Sequence, residues 1–386
     1  MREVAVIGIG QTKVDEHWNK SLKELAGEAV LSAVHDAGLK QVDSLFVGNM
    51  MSASANNQQQ LGAYIADWVG LRYAESFKLE SACGSGSAAF RAALLAISSG
   101  AIDSAVAVGV EKMTDSPGGE ITSQLATAAD ADWELAQGVS FVALNALIMQ
   151  RYLHEYGWTK KDFAPFSINA HANAVHNPYA RFRKEITEKQ YIEAGMVADP
   201  INLMDASAIG DGAAAVVLIP LERLTINNAF PIIKIIGSSA ATDSIAIHDR
   251  KDPLWLKAAE VSSKKAYSQA GLTPEDIDLF ELHDAFSIMA ALSLEASGFA
   301  ERGKGPSLGL SGDIKPNGKI PIATRGGLKA RGHPVGATGM YQIVEVIQQL
   351  RWAAEGTQVE GAKIGMAQNI GGSGSNILTH ILQRIN

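Results

Sequence analysis

The chain has 386 residues, of which 47% are hydrophobic and 19% are charged. This length allows two or three domain-sized units or one large fused body, and the composition supports a large core and excludes a disordered chain. The net charge of −8 and the absence of a Lys/Arg block argue against a nucleic-acid-binding protein.

Cysteine usage and the N-terminal sequence bear on the compartment. Cys83 is the only cysteine in the sequence, so an internal disulfide cannot form. The N-terminal residues 1–8 are too short and acidic for a signal peptide, and no apolar run reaches the length of a membrane span, about 20 residues. We therefore expect a cytoplasmic protein without a membrane span.

Short apolar runs bounded by glycine or polar residues recur along the chain. A strand that is covered on both faces need not alternate polar and apolar residues, so such runs predict buried strands. The predicted strands are Val4–Ile9, Leu45–Val47, Ala105–Val108, Ala213–Ile219, Ile232–Ile236, Ile277–Leu282, Ile364–Ala367 and Ile377–Leu382.

Helical patterns lie between these runs. In the stretch Leu22–Ala37 apolar residues recur on one face, and Gly38 ends the pattern. Two further segments, Cys83–Gly100 and His333–Trp352, each begin as a glycine-rich turn and continue as a helix. This alternation of strands and helices predicts an α/β fold.

The second part of the chain repeats the order of the first. Ala37-Gly38-Leu39 and the strand after it resemble Ala270-Gly271-Leu272 and the strand after that. We therefore predict two similar α/β halves that pack as one body, the first at 1–115 with 205–222 and the second at 230–386. The segment 116–204 is predicted to be an inserted loop domain that carries binding surface.

Cys83 lies in the segment 80–89, where glycine, serine and alanine allow a tight turn at a helix start. Lone cysteines are more often buried structural residues than nucleophiles. At a helix N-terminus, however, unpaired N–H groups and the positive helix end favour the thiolate and lower the thiol pKa toward or below about 7. Cys83 is therefore a candidate nucleophile for which we expect a lowered pKa.

Three further polar residues lie in loops between predicted strands and helices. His283 and Asn369 each follow a predicted strand, and His333 precedes Pro334, which presets the entry into a helix. A lone histidine is more often a surface or hydrogen-bonded core residue, but histidine is also the common general base at neutral pH. Because loops at strand ends converge in a fold with two halves, we expect these residues to meet Cys83.

These motifs resemble those of the thiolase superfamily. Gly332-His333-Pro334 is similar to the thiolase Gly-His-Pro loop, and the segment 283–286 is similar to the His-Asp-Cys-Phe loop of sterol-carrier-protein type thiolases. The segments 171–178 and 211–217 are similar to the family's insertion and to the strand that closes its first half. The resemblance covers nearly the whole chain and is closest to archaeal-type acetyl-CoA acetyltransferases and sterol-carrier-protein type thiolases.

The resemblance implies a thiolase-like fold. This fold has two pseudo-symmetric βαβαβ halves in a five-layered α-β-α-β-α body, with the inserted loop domain holding coenzyme A. The implied activity is that of an acyl-CoA C-acyltransferase, which forms or cleaves acetoacetyl-CoA or another 3-ketoacyl-CoA through a thioester at Cys83.

The resemblance also implies a role for each residue of the site. His333 deprotonates Cys83, and His283 holds the thioester oxygen in an oxyanion hole, directly or through a water. Backbone N–H groups near Cys83 and at the Gly372 turn form a second oxyanion hole, which stabilises the tetrahedral intermediate.

The expected ligand is a coenzyme A thioester, bound as the substrate, with no covalently bound cofactor. The resemblance places Ser238 or Ser239, after the predicted strand Ile232–Ile236, near the pantetheine arm. No metal site is expected, because the histidines have no cysteine or carboxylate neighbours at ligand spacing.

The chain departs from the family at the second cysteine. The best-known thiolases have this cysteine at the position of Asn369, and sterol-carrier-protein types have it at the position of Ala285. Either another base, a histidine or a bound water, forms the substrate carbanion, or the chain is weak in carbon–carbon bond formation.

Two other functions stay open at this point. One is a decarboxylating ketoacyl synthase-like condensing enzyme, and the other is a non-catalytic acyl-CoA-binding subunit of a complex. A Rossmann dehydrogenase is disfavoured because Gly8-Ile9-Gly10 lacks the third glycine of that motif. The resemblance further implies a homodimer or homotetramer, and a complex with 3-hydroxy-3-methylglutaryl-CoA synthase or an acyl-carrier accessory protein.

Overall fold

The computed structural model describes residues 1–224 and 231–385. The predicted boundary at residue 230 and the terminal Asn386 lie outside the described residues. Within them, nine strands form one mixed sheet and two strands form a short hairpin. The strands are β1 (Val4–Gln11), β2 (Ser44–Gly48), β3 (Glu75–Leu79), β4 (Ala105–Glu111), β5 (Met196–Ala198), β6 (Ile201–Asn202), β7 (Gly212–Pro220), β8 (Ile233–Thr242), β9 (Leu279–Glu281), β10 (Ile364–Gly371) and β11 (Asn376–Arg384).

The α-helices lie between these strands and in the segment between β4 and β7. They are α1 (Leu22–Asp36), α2 (Ser52–Ala55), α3 (Leu61–Trp68), α4 (Ser85–Ser99), α5 (Gly118–Ala126), α6 (Phe141–Tyr156), α7 (Ala164–Ala174), α8 (Glu188–Ile192), α9 (Lys257–Ala270), α10 (Ser287–Ala296), α11 (Gly305–Ser311) and α12 (Thr338–Leu350). Across the described ranges, none of the helices combines the length and the apolar character that a membrane crossing requires.

The order of the strands shows the predicted repeat. The large sheet runs β3-β2-β4-β7-β1-β8-β11-β10-β9. In its first part β2 pairs in parallel with β4, and β7 lies antiparallel between β4 and β1. In its second part β9 pairs in parallel with β10, and β11 lies antiparallel between β10 and β8. Antiparallel pairing of Val4–Val6 in β1 with Ile233–Ile235 in β8 joins the two parts into one continuous sheet.

The helices and the two parts of the sheet form five layers. Helix α1 covers the outer face of the first part, and α9 covers the outer face of the second. Helices α4 and α12 pack between the two parts, and Phe90 of α4 meets His380 of β11 with ring centroids 4.9 Å apart. This arrangement confirms the α/β, thiolase-like fold predicted from the sequence.

Strand β7 explains why the apolar runs do not alternate with polar residues. Ala213, Ala215 and Val217 pack in the cluster beneath α1, whereas Val216 and Leu218 pack in the cluster around α4 and α12. Both faces of the strand are therefore buried, so both sets of alternating side chains are apolar.

The structure contains an edge strand that the sequence-based prediction missed. Strand β3 was not among the predicted runs, because as the edge strand it is only half-buried and carries Glu75 and Lys78. In the second half, Phe280 of β9 forms a single bridge with Ile322.

Candidate active site

Cys83 lies in the tight turn between β3 and α4. Ala82 has a positive φ of 49°, a conformation that residues other than glycine seldom adopt. Ser85 holds the turn, because its Oγ accepts a hydrogen bond from the Ser81 N–H (2.9 Å) and donates one to the Ala82 carbonyl (2.6 Å). The backbone strain at Ala82 and the hydrogen bonds of Ser85 fix the direction of the Cys83 side chain.

The thiol of Cys83 is not activated in the free protein. Burial, together with the nearby charge of Glu111, raises the pKa of Cys83 to about 12. The pKa of about 7 or below that the helix start suggested is therefore wrong. Desolvation disfavours the thiolate more than the helix end favours it, so Cys83 needs a neighbouring base to become a nucleophile.

His283 follows β9 and is buried against Asn369 of β10. The Asn369 Nδ2 donates a hydrogen bond to His283 Nδ1 over 3.0 Å. Because Nδ1 accepts, the proton of the neutral ring is on Nε2. Burial, together with the charge of Arg331, lowers the pKa of His283 to about 3, so the ring is neutral at pH 7.

His333 has the opposite tautomer. Its Nδ1 lies 2.6 Å from the Thr338 Oγ1, and the Thr338 hydroxyl donates to the Pro334 carbonyl over 3.4 Å. Thr338 therefore accepts from the Nδ1–H, which leaves a lone pair on Nε2. Burial lowers the pKa of His333 well below its usual value, with smaller contributions from His283 and Arg331.

The segment after residue 205 holds both histidine loops in place. The Ser207 N–H donates to the Ala285 carbonyl over 2.8 Å, and the His333 N–H donates to the Ala208 carbonyl over 2.7 Å. Neither contact could be read from the sequence, because the three loops are far apart along the chain. The same segment lines the pocket beside Cys83.

The predicted convergence is present in the structure. The Cys83 sulfur and one nitrogen from each of His283 and His333 lie within 4.8 Å of one another. The two imidazole rings are nearly perpendicular, with their centroids 5.1 Å apart. A cavity of about 130 Å³ opens at this point, and its walls are mostly apolar. It is lined by the three site residues and by Met50, Leu125, Phe141, Val142, Asn145, Phe286, Met289, Ile370 and Gly372, among others.

The other predicted site residues lie at different distances from the pocket. Gly372 lines it, directly after β10, with a positive φ of 60°. Asn369 acts on it through His283. Ser238 and Ser239, however, lie inside β8, which continues to Thr242 instead of ending before them.

The expected position of Ser238 or Ser239 near the pantetheine arm stays a prediction. Ser238 is buried, and its Oγ accepts from the Arg91 guanidinium over 2.9 Å and lies 3.0 Å from His380 Nδ1. Ser239 is also buried in the same strand. Neither residue lines the cavity around Cys83. The apolar run stopped at Gly237, but the strand continues because its small polar residues still pair with β11.

Two residues of the site environment were not singled out from the sequence. Thr338, which sets the tautomer of His333, appeared only as part of a glycine-rich turn. Glu111 ends β4 and is fully buried beside the pocket. A carboxylate directly after a continuous apolar strand is a signal that could have indicated it, because a fully buried carboxylate needs specific partners.

Cys83, His283 and His333 also have donor atoms close enough together to bind a metal ion. They are the group of this kind within the described ranges 1–224 and 231–385. Cysteine with two histidines is a donor set that suits zinc. The sequence did not indicate this group, because its members come from three separate loops. The expected absence of a metal site stays a prediction.

Family models match both parts of the chain. The model for the thiolase N-terminal domain matches residues 4–222, and the model for the thiolase C-terminal domain-like family matches residues 239–384. Together they include every residue of the site described above.

Curated relatives match over the full length. A protein named acetyl-CoA acetyltransferase from Methanothermobacter thermautotrophicus is 44% identical, and the match covers 100% of each chain. One of the same name from Methanocaldococcus jannaschii is 39% identical, with 99% of each chain covered. Sterol carrier protein 2 from Bos taurus is 30% identical, over 97% of this chain and 71% of its own length.

A solved structure has the same fold. The structure titled Ltp2-ChsH2(DUF35) aldolase superposes with a TM-score of 0.87 at 24% identity, covering 99% of this chain and 98% of that one. The family matches, the full-length relatives and the shared fold agree with one another. The chain belongs to the thiolase family.

Proposed function

We propose that this protein is an acyl-CoA C-acyltransferase that forms or cleaves acetoacetyl-CoA and related 3-ketoacyl-CoA thioesters through an acyl thioester on Cys83. The observation that carries the proposal is the convergence of the Cys83 sulfur with His283 and His333 within 4.8 Å. The relatives named acetyl-CoA acetyltransferase, at 44% and 39% identity over essentially the whole chain, support the same activity.

The hydrogen bonds of the two histidines support a separate role for each. His333 Nε2 carries a lone pair and takes the proton of the Cys83 thiol as the sulfur attacks the thioester carbonyl. The carbon–sulfur bond to coenzyme A breaks, and the proton passes from His333 to the departing thiol. His283 Nε2–H donates to the oxygen on which negative charge develops, with backbone N–H groups near Cys83 and Gly372 as a second oxyanion hole.

The carbanion step needs a base, and this chain has no second cysteine. We assign the step to His333 as well, because its Nε2 is free again once coenzyme A has left. It takes a proton from the α-carbon of a second acetyl-CoA, and the carbanion attacks the acetyl carbonyl on Cys83. The Cys83 sulfur leaves and takes the proton back from His333, so the cycle balances in both directions.

The binding of the substrate is also part of the proposal. Coenzyme A is bound as the substrate thioester, without a covalent cofactor, and the segment 116–204 supplies part of its site. Phe141, Val142 and Asn145 of α6 support this, because they line the cavity beside Cys83. A reducing, cytoplasmic location belongs to the proposal because Cys83 must remain a free thiol.

We propose a homodimer or homotetramer with β3 at the subunit contact. Strand β3 is at the end of the sheet, directly before the Cys83 turn, and its Phe77 is about half exposed. The unpaired backbone N–H and C=O groups of an exposed edge strand favour pairing with another chain. We also propose a complex with 3-hydroxy-3-methylglutaryl-CoA synthase or an acyl-carrier accessory protein. The solved neighbour with the same fold, Ltp2-ChsH2(DUF35) aldolase, has a second protein in its name.

The proposal is tested by thiolysis of acetoacetyl-CoA with free coenzyme A, comparing the wild-type protein with Cys83→Ala. We expect turnover by the wild type and a loss of about 10³-fold or more in the variant, because the nucleophile is absent. Mass spectrometry of the intact protein after incubation with acetyl-CoA should detect acetyl on Cys83.

Each alternative predicts a different result. Acetylation of Cys83 without thiolysis would favour a condensing enzyme with another acyl acceptor, such as the decarboxylating ketoacyl synthase-like reaction. If neither thiolysis nor acetylation is detected, the proposal is contradicted. A non-catalytic acyl-CoA-binding subunit would then be the remaining interpretation. Neither alternative is favoured by the full-length relatives.

A further inference from the structure

Glu111 is a buried carboxylate at the end of β4 that binds loops from both halves of the fold. Its Oε1 accepts hydrogen bonds from the Met51 N–H (2.9 Å) and from Asn49 Nδ2 (2.7 Å). Its Oε2 accepts from the N–H groups of Met50 (3.1 Å) and Gly336 (2.9 Å). One carboxylate therefore connects the loop after β2 with the loop that follows the Gly-His-Pro motif.

Both loops form walls of the cavity around Cys83. Met50 and Val335 line the cavity, and Met51 packs with Val335 in an apolar cluster that the Cys83 side chain contacts. The contact with Gly336 is close, since a Cβ at that position would lie 2.4 Å from the Glu111 Oε2. A side chain at 336 would therefore displace the carboxylate and would also press on the Met50 loop, whose backbone nitrogen at Met50 would lie 2.7 Å from the added Cβ.

We propose that Glu111 is a positioning residue for acyl transfer: its carboxylate fixes the loop of His333 against the loop of Met50, and so holds the wall of the cavity beside Cys83. This inference rests on the proposed acyltransferase function. It assigns Glu111 no contact with the substrate.

The charges around Glu111 agree with this role. Burial raises the pKa of Glu111 to about 7, while its backbone hydrogen bonds and the charge of Lys78 in β3 act in the opposite direction. The Lys78 ammonium donates to the Ser52 Oγ over 3.1 Å, so it lies beside the same loop. After burial, the charge of Glu111 is the largest influence that raises the pKa of Cys83, and Glu80 adds to it.

Glu111→Gln tests the positioning role and the effect of the charge on Cys83. Cys83 is the only cysteine in the chain, so its rate of alkylation by iodoacetamide can be measured without background. At a fixed pH between 8 and 9 we expect alkylation about three- to tenfold faster than in the wild type, because a negative charge beside the thiolate is gone. We expect kcat for thiolysis to fall about 10- to 100-fold, because the amide group cannot accept all four hydrogen bonds.

Two further variants separate the effects of position and charge. Gly336→Ala keeps the charge of Glu111 but forces its Oε2 away from the loop, so kcat should fall while the alkylation rate stays within about twofold of wild type. Glu295→Gln is the matched control, because Glu295 is also buried and accepts from Tyr152 and Gly305, neither of which lines the cavity. It should leave the alkylation rate unchanged.

A wild-type kcat in Glu111→Gln would overturn the proposal, whatever the alkylation rate. If that variant does not fold, wild-type kcat in Gly336→Ala would overturn it instead. Absence of thiolysis by the wild type would contradict the proposed function, whereas the alkylation rates would still show whether Glu111 controls the thiol.

Discussion

The side-chain amide of Asn369 forms a hydrogen bond with His283. By resemblance, this is the position at which the best-known thiolases have their second cysteine. The Nδ2 group donates to Nδ1 of that ring over 3.0 Å, which places the ring proton on Nε2. An amide cannot serve as a proton-transferring base in the way a thiol can. Its side chain instead sets which nitrogen of His283 is a donor.

Replacing Asn369 by aspartate should reverse that setting. A carboxylate can only accept, so it would draw the proton of His283 to Nδ1 and leave Nε2 unable to donate to an oxyanion. We expect kcat for thiolysis to fall about 10²- to 10³-fold with KM changed little, since one oxyanion-hole donor is lost.

Steady-state kinetics with acetoacetyl-CoA measures this effect. Asn173→Asp is the matched control, because Asn173 is also buried and donates to a backbone carbonyl, that of Ala323, over 3.0 Å. A wild-type kcat in Asn369→Asp, with the control folded, would show that the tautomer of His283 does not matter for the reaction.

At this scale the sequence indicated which residues meet but not their electrostatics. Cys83, His283 and His333 could be predicted because each lies in a loop at the end of a strand or the start of a helix. Asn369 was expected in such a loop as well, but it lies inside β10, which continues past the predicted end at Ala367. The raised pKa of the thiol could not be predicted, because it depends on burial and on Glu111, which reaches the site from another strand.

The two central helices approach each other closely at their first turns. A Cβ at Gly86 of α4 would lie 2.9 Å from the backbone nitrogen of Met340 in α12 and 3.0 Å from the carbonyl oxygen of Gly336. These helices begin after Cys83 and after His333, so their contact sets the distance between nucleophile and base.

Gly86→Ala should therefore push the two helix starts apart. We expect the free energy of unfolding to fall by about 1–3 kcal/mol, because the added methyl overpacks a close contact, and kcat to fall about tenfold or more. Urea unfolding and thiolysis of acetoacetyl-CoA measure the two effects.

Gly119→Ala is the control, since Gly119 lies in helix α5 and a Cβ there has no neighbour within 4 Å. It should be neutral or slightly stabilising, because alanine favours a helix more than glycine does. Equal stability and activity in the two variants would mean that the contact at Gly86 can relax.

Whether a strand could be predicted depended on its place in the sheet. Strands β1, β4, β7, β10 and β11 are buried and were each indicated by an apolar run. The edge strand β3 was not, because one face is open and its residues are mixed. The full length of β8 was not predicted either, because Ser238 and Ser239 are polar residues of the kind that is common in loops.

Across the whole molecule, buried neutral histidines link stability to pH. His380 in β11 is fully buried, and burial lowers its pKa to about 3, as it does for His283. In the unfolded chain a histidine has a pKa of about 6.5. Below that pH the unfolded state binds protons that the native state does not, so this stability is present above pH 6.5 and is lost as the pH falls toward 3.

His380→Asn isolates one of these groups at a position outside the cavity. The variant should be less stable than the wild type at pH 7.5, because the contact with Phe90 and the hydrogen bond with Ser238 change. As the pH falls from 6 to 4, the free energy of unfolding of the variant should decrease less steeply than that of the wild type. The difference between the two slopes should be up to about 1.4 kcal/mol per pH unit.

Urea unfolding of both proteins at several pH values checks this expectation. Parallel pH profiles for the variant and the wild type would show that His380 does not titrate differently in the two states.

At the same scale, the repeat in the sequence was sufficient to predict two α/β halves and their packing into one body. It did not indicate that the halves share a sheet. That joint is made by Val4–Val6 and Ile233–Ile235, whose pairing depends on the register of two distant segments and not on any local pattern.

The position of β1 in that sheet has a consequence for how the chain is made. Strand β1 leaves the ribosome before its two neighbours in the finished sheet, β7 and β8, which begin at Gly212 and Ile233. Translation at about 5–20 residues per second leaves both edges of β1 vacant for about 10 to 40 s. A nascent chain of this protein therefore carries an apolar strand that chaperones can bind until more than half of the sequence has been translated.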